Sequence, residues 1–476
     1  MIGDLKRRFL DDRLLTWAVV GVILLGAAVL GLQASRLVLV LVVAAIAGVF
    51  LLRWPSLGFM AMVPIALLLP VQIGTGTEVV LNLATLLVPA LLALWVLDMA
   101  RRRELTLVPS RTTRPLILFL LAGLFSLLAG IALWDALVPR SSSFVLVQLA
   151  QWAIYAFSGG AFLLTGNVLQ DELALQRLTF FFLLVAGGTA MALVIAGGGT
   201  LIANGLVTVA LNRSSFWMLL AALALGQLLF NDELSGGWRL FLAATLAAVL
   251  VYAFFQERAT ASHWVGVATV TAALIWLRWP RLRLPVAMLV VVLLGTGIVT
   301  TAIYSFAGGD AEWQESGVSR LSLIRRVLEV TMHNPLTGLG PAAYRAYARM
   351  RPLASGGAFW INPNVSSHNN YVDLFSHGGL LGLGLFAWFV VELGRLGVRL
   401  RYQFRQGFAS GYVNAALGIG AGSLVIMVFA DWILPFVYNI GFPGFQASVL
   451  VWMFLGGLVT LEQVSNKREG KEATGA

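Results

Sequence analysis

Apolar runs long enough to cross a bilayer recur along nearly the whole chain, and they constrain the fold more than any motif does. One span needs about 20 mostly apolar residues. In lipid every backbone N–H and C=O must be satisfied within its own segment, so such runs become helices. The short alternating segments of a β-barrel are absent. Composition agrees: 59% of residues are hydrophobic, 11% are charged, and the mean hydropathy is +0.87.

The expected fold is therefore all-α, a polytopic integral membrane helical bundle. Spans fall near 14–32, 37–52, 57–73, 79–100, 115–133, 145–166, 178–197, 213–230, 239–255, 263–277, 285–305, 373–394, 413–432 and 446–463. Two of them, 37–52 and 263–277, are short enough to be tilted or re-entrant, so about 12–14 transmembrane helices are expected. The first run exceeds a signal-peptide core and no cleavage site follows, so it reads as a retained helix. The resulting organisation is a helical region over 1–305, one long extracytoplasmic loop over 306–372, further helices over 373–464, and a cytoplasmic tail over 465–476.

The net charge of +10 could suggest nucleic acid, but its distribution argues for a membrane. Basic residues cluster at helix ends: Lys6, Arg7 and Arg8; Arg101, Arg102 and Arg103; Arg278, Arg281 and Arg283; Arg395, Arg399, Arg401 and Arg405; Lys467 and Arg468. That is the pattern of cytoplasmic loops facing anionic lipid, and it places both termini inside. Arg36, Arg140, Arg213 and Arg258 are left in short external connectors, against the rule. Interfacial anchoring accounts for the first two. The absence of cysteine excludes disulfides, thiolate metal sites and a cysteine nucleophile.

Within the long loop, SRLSLIRRVLEVTMHNP carries Leu321, Ile324 and Leu328 at helical spacing and ends at Pro335, so it predicts a surface helix. PAAYRAYARMR predicts a second, basic helix, and SGGAFWINPNVSS an irregular lid-like loop. Of the four histidines, His263 and His333 read as structural and His377 as a packing residue of the following helix. His368 stands apart, among Ser366, Ser367, Asn369, Asn370 and Tyr371 at the mouth of a spanning helix. An imidazole there can accept a proton from a hydroxyl near neutral pH. Arg213, Arg258 and Arg320, with Arg325 or Arg326, can supply planar, permanently charged forks for a phosphate or diphosphate. For Arg213 the competing reading is snorkelling to headgroups, for Arg258 an ion pair with Glu257, and for Arg325 and Arg326 attraction to anionic lipid. No metal-ligand spacing and no Walker or dinucleotide fingerprint occurs, so neither a metal site nor a cofactor is expected. The pairs Gly378/Gly382 and Gly418/Gly422 read as helix-packing surfaces.

The order Arg320-Leu321, an amphipathic helix, Pro335-Leu336-Thr337-Gly338-Leu339-Gly340, a variable loop, His368-Asn369 and a helix opening with Gly378-Gly379 resembles the signature region of the O-antigen ligase and O-antigen polymerase superfamily. LNRSSF at Arg213 and ERATASHW at Arg258 fall where that family carries external arginines, though Glu257-Arg258-Ala259 replaces its commoner Ser-Arg-Gly-like step. The resemblance covers about seventy residues strongly. It implies a GT-C-type, metal-independent, inverting glycosyltransferase in the bacterial plasma membrane. Its donor would be a polyprenyl-diphosphate-linked glycan and its acceptor a sugar hydroxyl. The diphosphate would rest on Arg213, Arg258 and Arg320, and His368 would orient or deprotonate the acceptor. Asn369, Tyr371 and Arg325 are possible acceptor or loop contacts, and residues 351–365 would meet the acceptor. The alternative is a flippase for lipid-linked oligosaccharides, which would carry its polar residues at mid-membrane depth and show repeat symmetry. Polymerase and ligase share this donor site and differ in the acceptor; a weak preference falls on the polymerase.

Overall fold

The structure is a computed structural model that describes residues 55–76, 79–104, 107–196, 198–257, 261–295, 318–350, 353–355, 358–360 and 365–474. The spans expected near 14–32 and 37–52, and the second half of 285–305, lie outside these residues. Phe59–Ala476 forms one compact unit. The helices are α1 (Pro55–Leu68), α2 (Leu83–Arg102), α3 (Thr113–Ala132), α4 (Phe144–Val168), α5 (Glu172–Ala196), α6 (Gly198–Ala203), α7 (Ser214–Phe230), α8 (Gly236–Val251), α9 (Ala261–Arg278), α10 (Arg283–Gly295), α11 (Val318–Thr331), α12 (Tyr344–Ala348), α13 (Asn370–Gln403), α14 (Gly407–Phe429) and α15 (Gly441–Thr474).

Strand is confined, among the described residues, to two hairpins: β1 (Gln72–Gly74) with β2 (Val80–Asn82), and β3 (Leu353–Ser355) with β4 (Ala358–Trp360). The first hairpin separates α1 from α2 where the sequence predicts two spans, and Asn82 then caps α2 by accepting from Thr85 N at 3.0 Å. The second lies where the sequence predicts an irregular loop. Eight described helices are long and apolar enough to cross a membrane, α8 counting with its continuation to Gln256, and α1 and α7 are shorter apolar helices. The chain is an all-α, multi-pass membrane protein.

α15 is the centre of the unit. Its spanning stretch is buried on all sides, as expected of a helix that is apolar all round. It packs on α2, α4, α5, α7, α13 and α14. Small residues set the approach: a Cβ on Gly456 would strike the carbonyl of Phe162 in α4, and one on Gly166 would strike Val459 at 2.8 Å. A second layer, α7 with α9 and α14, meets through Gly422, whose Cβ would lie 2.7 Å from Met218 Sδ and 2.8 Å from Val270. Gly418 faces Leu274, so Gly418/Gly422 is a packing surface as predicted.

Gly378/Gly382 is not such a surface; neither glycine has a close neighbour that a Cβ would displace. The essential residue is Gly379, where α13 breaks with φ 63° and ψ −163°. That combination belongs to glycine alone. The break frees backbone groups, and the turn 335–340 takes them: Leu339 N donates to Ser376 O at 2.9 Å, Leu380 N to Pro335 O at 2.9 Å, and Leu381 N to Leu336 O at 3.1 Å. The Ser126 hydroxyl of α3 lies between Thr337 O, at 2.6 Å, and His377 O, sharing its one proton between them. The approach is so close that Cβ atoms on Gly338, Gly379 or Gly130 would each run into facing backbone. The helix before this turn also differs in detail from expectation. α11 buries Leu323, Val327 and Val330, whereas Leu321 is 69% and Leu328 38% exposed. The buried stripe is rotated because α11 lies against α12 and α13.

Replacing Gly379 by Ala costs about 1–3 kcal/mol in backbone strain alone, before the collision with Leu336 is counted. Gly379→Ala is expected to lower the melting temperature in detergent sharply or to abolish folding. Gly384→Ala, in the same helix with open space around it, is expected to leave the melting temperature unchanged or slightly raised.

Candidate active site

Segment 365–369 shows why the His-Asn-Asn order matters. Asn369 is the N-cap of α13: its Oδ1 accepts from Tyr371 N at 2.9 Å and Val372 N at 3.2 Å, satisfying two otherwise orphaned donors. Ser367 Oγ donates to the buried Asp373 at 2.6 Å, and Asn369 N donates back to Ser367 Oγ at 3.1 Å. Tyr344, buried in α12, donates to the same carboxyl oxygen at 3.0 Å. This tight arrangement holds His368 with φ 48°, a left-handed conformation that is uncommon outside glycine. Asn370 faces the other way: its amide donates to Leu434 O at 2.7 Å and accepts from Ile433 N and Leu434 N at 3.2 and 3.3 Å.

Asn370 thereby fastens a segment that sequence reasoning did not single out, the connector 430–440 between α14 and α15. Gln151 of α4 clamps it from the opposite side, accepting from Val437 N at 2.7 Å and donating to Pro435 O at 3.0 Å. Trp452 donates to Ile433 O at 3.0 Å. So held, the connector presents Asp431, Trp432, Tyr438 and Asn439. Asp431 is fully buried and accepts from Phe436 N at 2.7 Å and from the Asn439 amide at 2.6 Å. The same Asn439 nitrogen lies 3.2 Å from His368 Nδ1.

The Asn439 amide thus links the buried carboxyl of Asp431 to the His368 imidazole and fixes the orientation of the ring.

Arg213 reaches the connector from α7. The bend before that helix is braced: Thr208 caps the turn Val209–Asn212, Trp217 donates to Leu211 O at 2.8 Å and stacks on Tyr252, and Ser214 bonds Ser262 of α9 at 2.8 Å. The Arg213 guanidinium lies 5.7 Å from the Trp432 ring, and its buried Nε has no hydrogen-bond partner. Burial pulls this guanidinium below its ordinary value, while the charge of Asp431 pulls it back. Burial pushes Asp431 above the carboxylate range, against the Phe436 N–H, the Asn439 amide and Arg213, which all favour its charge. A second cation, the buried Arg345 of α12, sits 4.4 Å over Tyr438. A half-buried guanidinium whose buried Nε has no partner, on the same connector as a histidine, is an arrangement suited to an anion.

Of the other residues singled out by sequence, Arg258 lies outside the described residues. Arg320 lies in the first turn of α11. Arg325 is 82% exposed and paired with Glu329 at 3.3 Å. Asn369 is occupied as a cap and Tyr371 donates to Leu424 O at 2.7 Å, so both serve the fold in this state. His377 is buried in α13, 2.6 Å from the Tyr155 hydroxyl and stacked on Tyr344, a packing position as predicted. The signal for the missed residues is slight: an Asp, a Pro and an Asn within a short apolar connector.

None of the curated proteins compared with the chain matches it. A family model does: residues 242–387 match the one described as O-antigen ligase. The matched stretch contains Arg258, Arg320 and His368, together with the turn 335–340 and the break in α13; Arg213, Asp431 and Asn439 lie beyond it. Over those 146 of its 476 residues, the chain is similar to the O-antigen ligase domain of surface-polysaccharide membrane proteins.

Proposed function

We propose that the protein is a metal-independent, inverting glycosyltransferase acting on a polyprenyl-diphosphate-linked glycan at the outer face of the bacterial plasma membrane. What carries this reading is the meeting of Arg213 and His368 on one braced connector, within a chain that holds an O-antigen ligase domain. The acceptor hydroxyl attacks the anomeric carbon from the face opposite the diphosphate. The C–O bond to the diphosphate breaks, and the leaving group departs with the bonding electron pair. Arg213, with Arg258 and Arg320 on the external side, stabilises the charge that grows on it. His368 orients the acceptor hydroxyl and takes its proton as the new C–O bond forms. The acceptor, a second lipid-linked glycan in a polymerase or a lipid-borne core sugar in a ligase, enters past the loop 351–365.

Purified protein supplied with a polyprenyl-diphosphate glycan and each acceptor separately tests the reading. His368→Ala and Arg213→Ala are each expected to lower turnover by about 10²–10³-fold, the usual cost of one transition-state donor. Arg213→Lys is not expected to restore it, because an ammonium cannot reproduce the fork. Unchanged turnover in His368→Ala would remove its role, and donor movement across proteoliposomes without transfer would favour a flippase.

Asp431 makes a pH prediction as well. Its folded value lies above its unfolded one, so ionising it costs the fold; the cost is absent below the unfolded value and complete above the folded one. Asp431→Asn removes that cost. Its melting temperature relative to the parent protein is expected to be higher at about pH 8 than at about pH 4. A difference independent of pH would contradict the assignment.

A further inference from the structure

The far end of the bundle holds a second cluster of charge that the transferase chemistry does not use. Glu392 lies about six turns along α13 from Asn370, and Glu462 about six turns along α15 from Gly441, which is about 30 Å or one hydrocarbon thickness. Both therefore sit at the membrane interface opposite His368. Each is buried, at 7% and 5% exposure, and each has one oxygen paired: Glu392 with Arg395 at 2.8 Å and Glu462 with Arg399. In both residues the second oxygen, Oε2, is buried with no partner. A carboxylate oxygen buried without a donor is costly, and two such oxygens in one place call for a cation.

The place is a cleft of about 530 Å³ between the start of α3, α13 and α15. Glu392 and Glu462 line it together with Trp388, and Arg111 and Arg114 line it from the α3 side. Arg114 stands 6.0 Å from the Trp388 ring. Neither arginine forms an ion pair with the two carboxylates. A second depression of about 380 Å³ shares Arg114 and runs on along Ile117 and Leu118. Beyond it Leu121, Phe125 and Leu128 continue the same face of α3, each more than half exposed. The cleft thus combines two anionic groups, two cationic groups and an apolar track leading away toward the bilayer centre.

We propose that this cleft binds an amine-bearing phospholipid, with a phosphoethanolamine headgroup in the polar part and an acyl chain along α3. The primary ammonium offers three N–H donors, enough for both unpartnered oxygens once the two carboxyl groups turn into the cleft. The phosphate, a two-carbon tether away, takes Arg111 and Arg114. A choline headgroup can stack on Trp388 but cannot donate to the carboxylates. A glycerol headgroup carries no cation at all. The site therefore discriminates through the carboxylates and anchors through the arginines.

Native mass spectrometry of the delipidated full-length protein tests this, with dioleoyl phosphatidylethanolamine, phosphatidylcholine and phosphatidylglycerol titrated separately. The ethanolamine lipid is expected to bind about tenfold more tightly than the other two, the factor for one charge-assisted hydrogen bond. Glu392→Gln should erase that preference. Arg114→Leu, at an exposed position whose replacement does not threaten the fold, should weaken all three lipids while leaving their order intact. Equal binding of the three lipids, tighter binding of phosphatidylglycerol, or ethanolamine-lipid binding unaltered by Arg114→Leu would each overturn the proposal.

Discussion

Everything around the candidate active site depends on the seating of the turn 335–340 in the break of α13. A helix interrupted within a membrane leaves backbone donors and acceptors that lipid cannot satisfy. The turn satisfies them with three backbone hydrogen bonds, and Ser126 of α3 completes the set. Because glycines meet backbone to backbone at this point, no side chain can intervene and the fit has one register. The first turns of α13, which carry Asn370, Asp373 and His377, are aimed by that joint. His368 is placed by what the joint holds.

The connector 430–440 solves a different problem, that of keeping Asp431 and Arg213 close without merging them into a closed ion pair. The carboxyl group is given two N–H donors of its own and does not consume the guanidinium. Arg213 rests on the Trp432 face instead, with donor capacity left over. A direct bidentate pair would be more stable in isolation and would have nothing to offer an incoming anion. The polar network between Asp431, Asn439 and His368 is therefore organised for orientation more than for stability.

The sequence carries the elements and their class clearly. Hydropathy locates α3, α4, α7, α8 and α9 within four residues and α5 and α14 within six, because lipid leaves a spanning segment no other choice. Faces and breaks are harder. Leu321 and Leu328 have helical spacing yet point outward, since neighbours remote in sequence decide which face of α11 is covered. Gly378 and Gly382 match a packing motif by spacing, while the decisive glycine lies between them. His368 and Arg213 stand out by type and position, yet Asp431 and Asn439 do not. Their importance comes from bonds to His368, Phe436 and each other, and the connector itself is fixed by Asn370 and Gln151, some 60 and 280 positions away. Periodicity has no access to such pairings.

The position of α15 has a bearing on biogenesis. The helix that fills the middle of the unit is the last of the described helices to leave the ribosome. Those preceding it enter the bilayer around a place not yet taken, where the grooves at Gly166 and along α7 wait for Val459 and its neighbours. The connector 430–440 arrives just ahead of α15 and is pinned by Trp452, a residue of that helix. Arg213 and His368 thus gain their common support only once α15 has been made, and a chain that stops short of it lacks the braced connector.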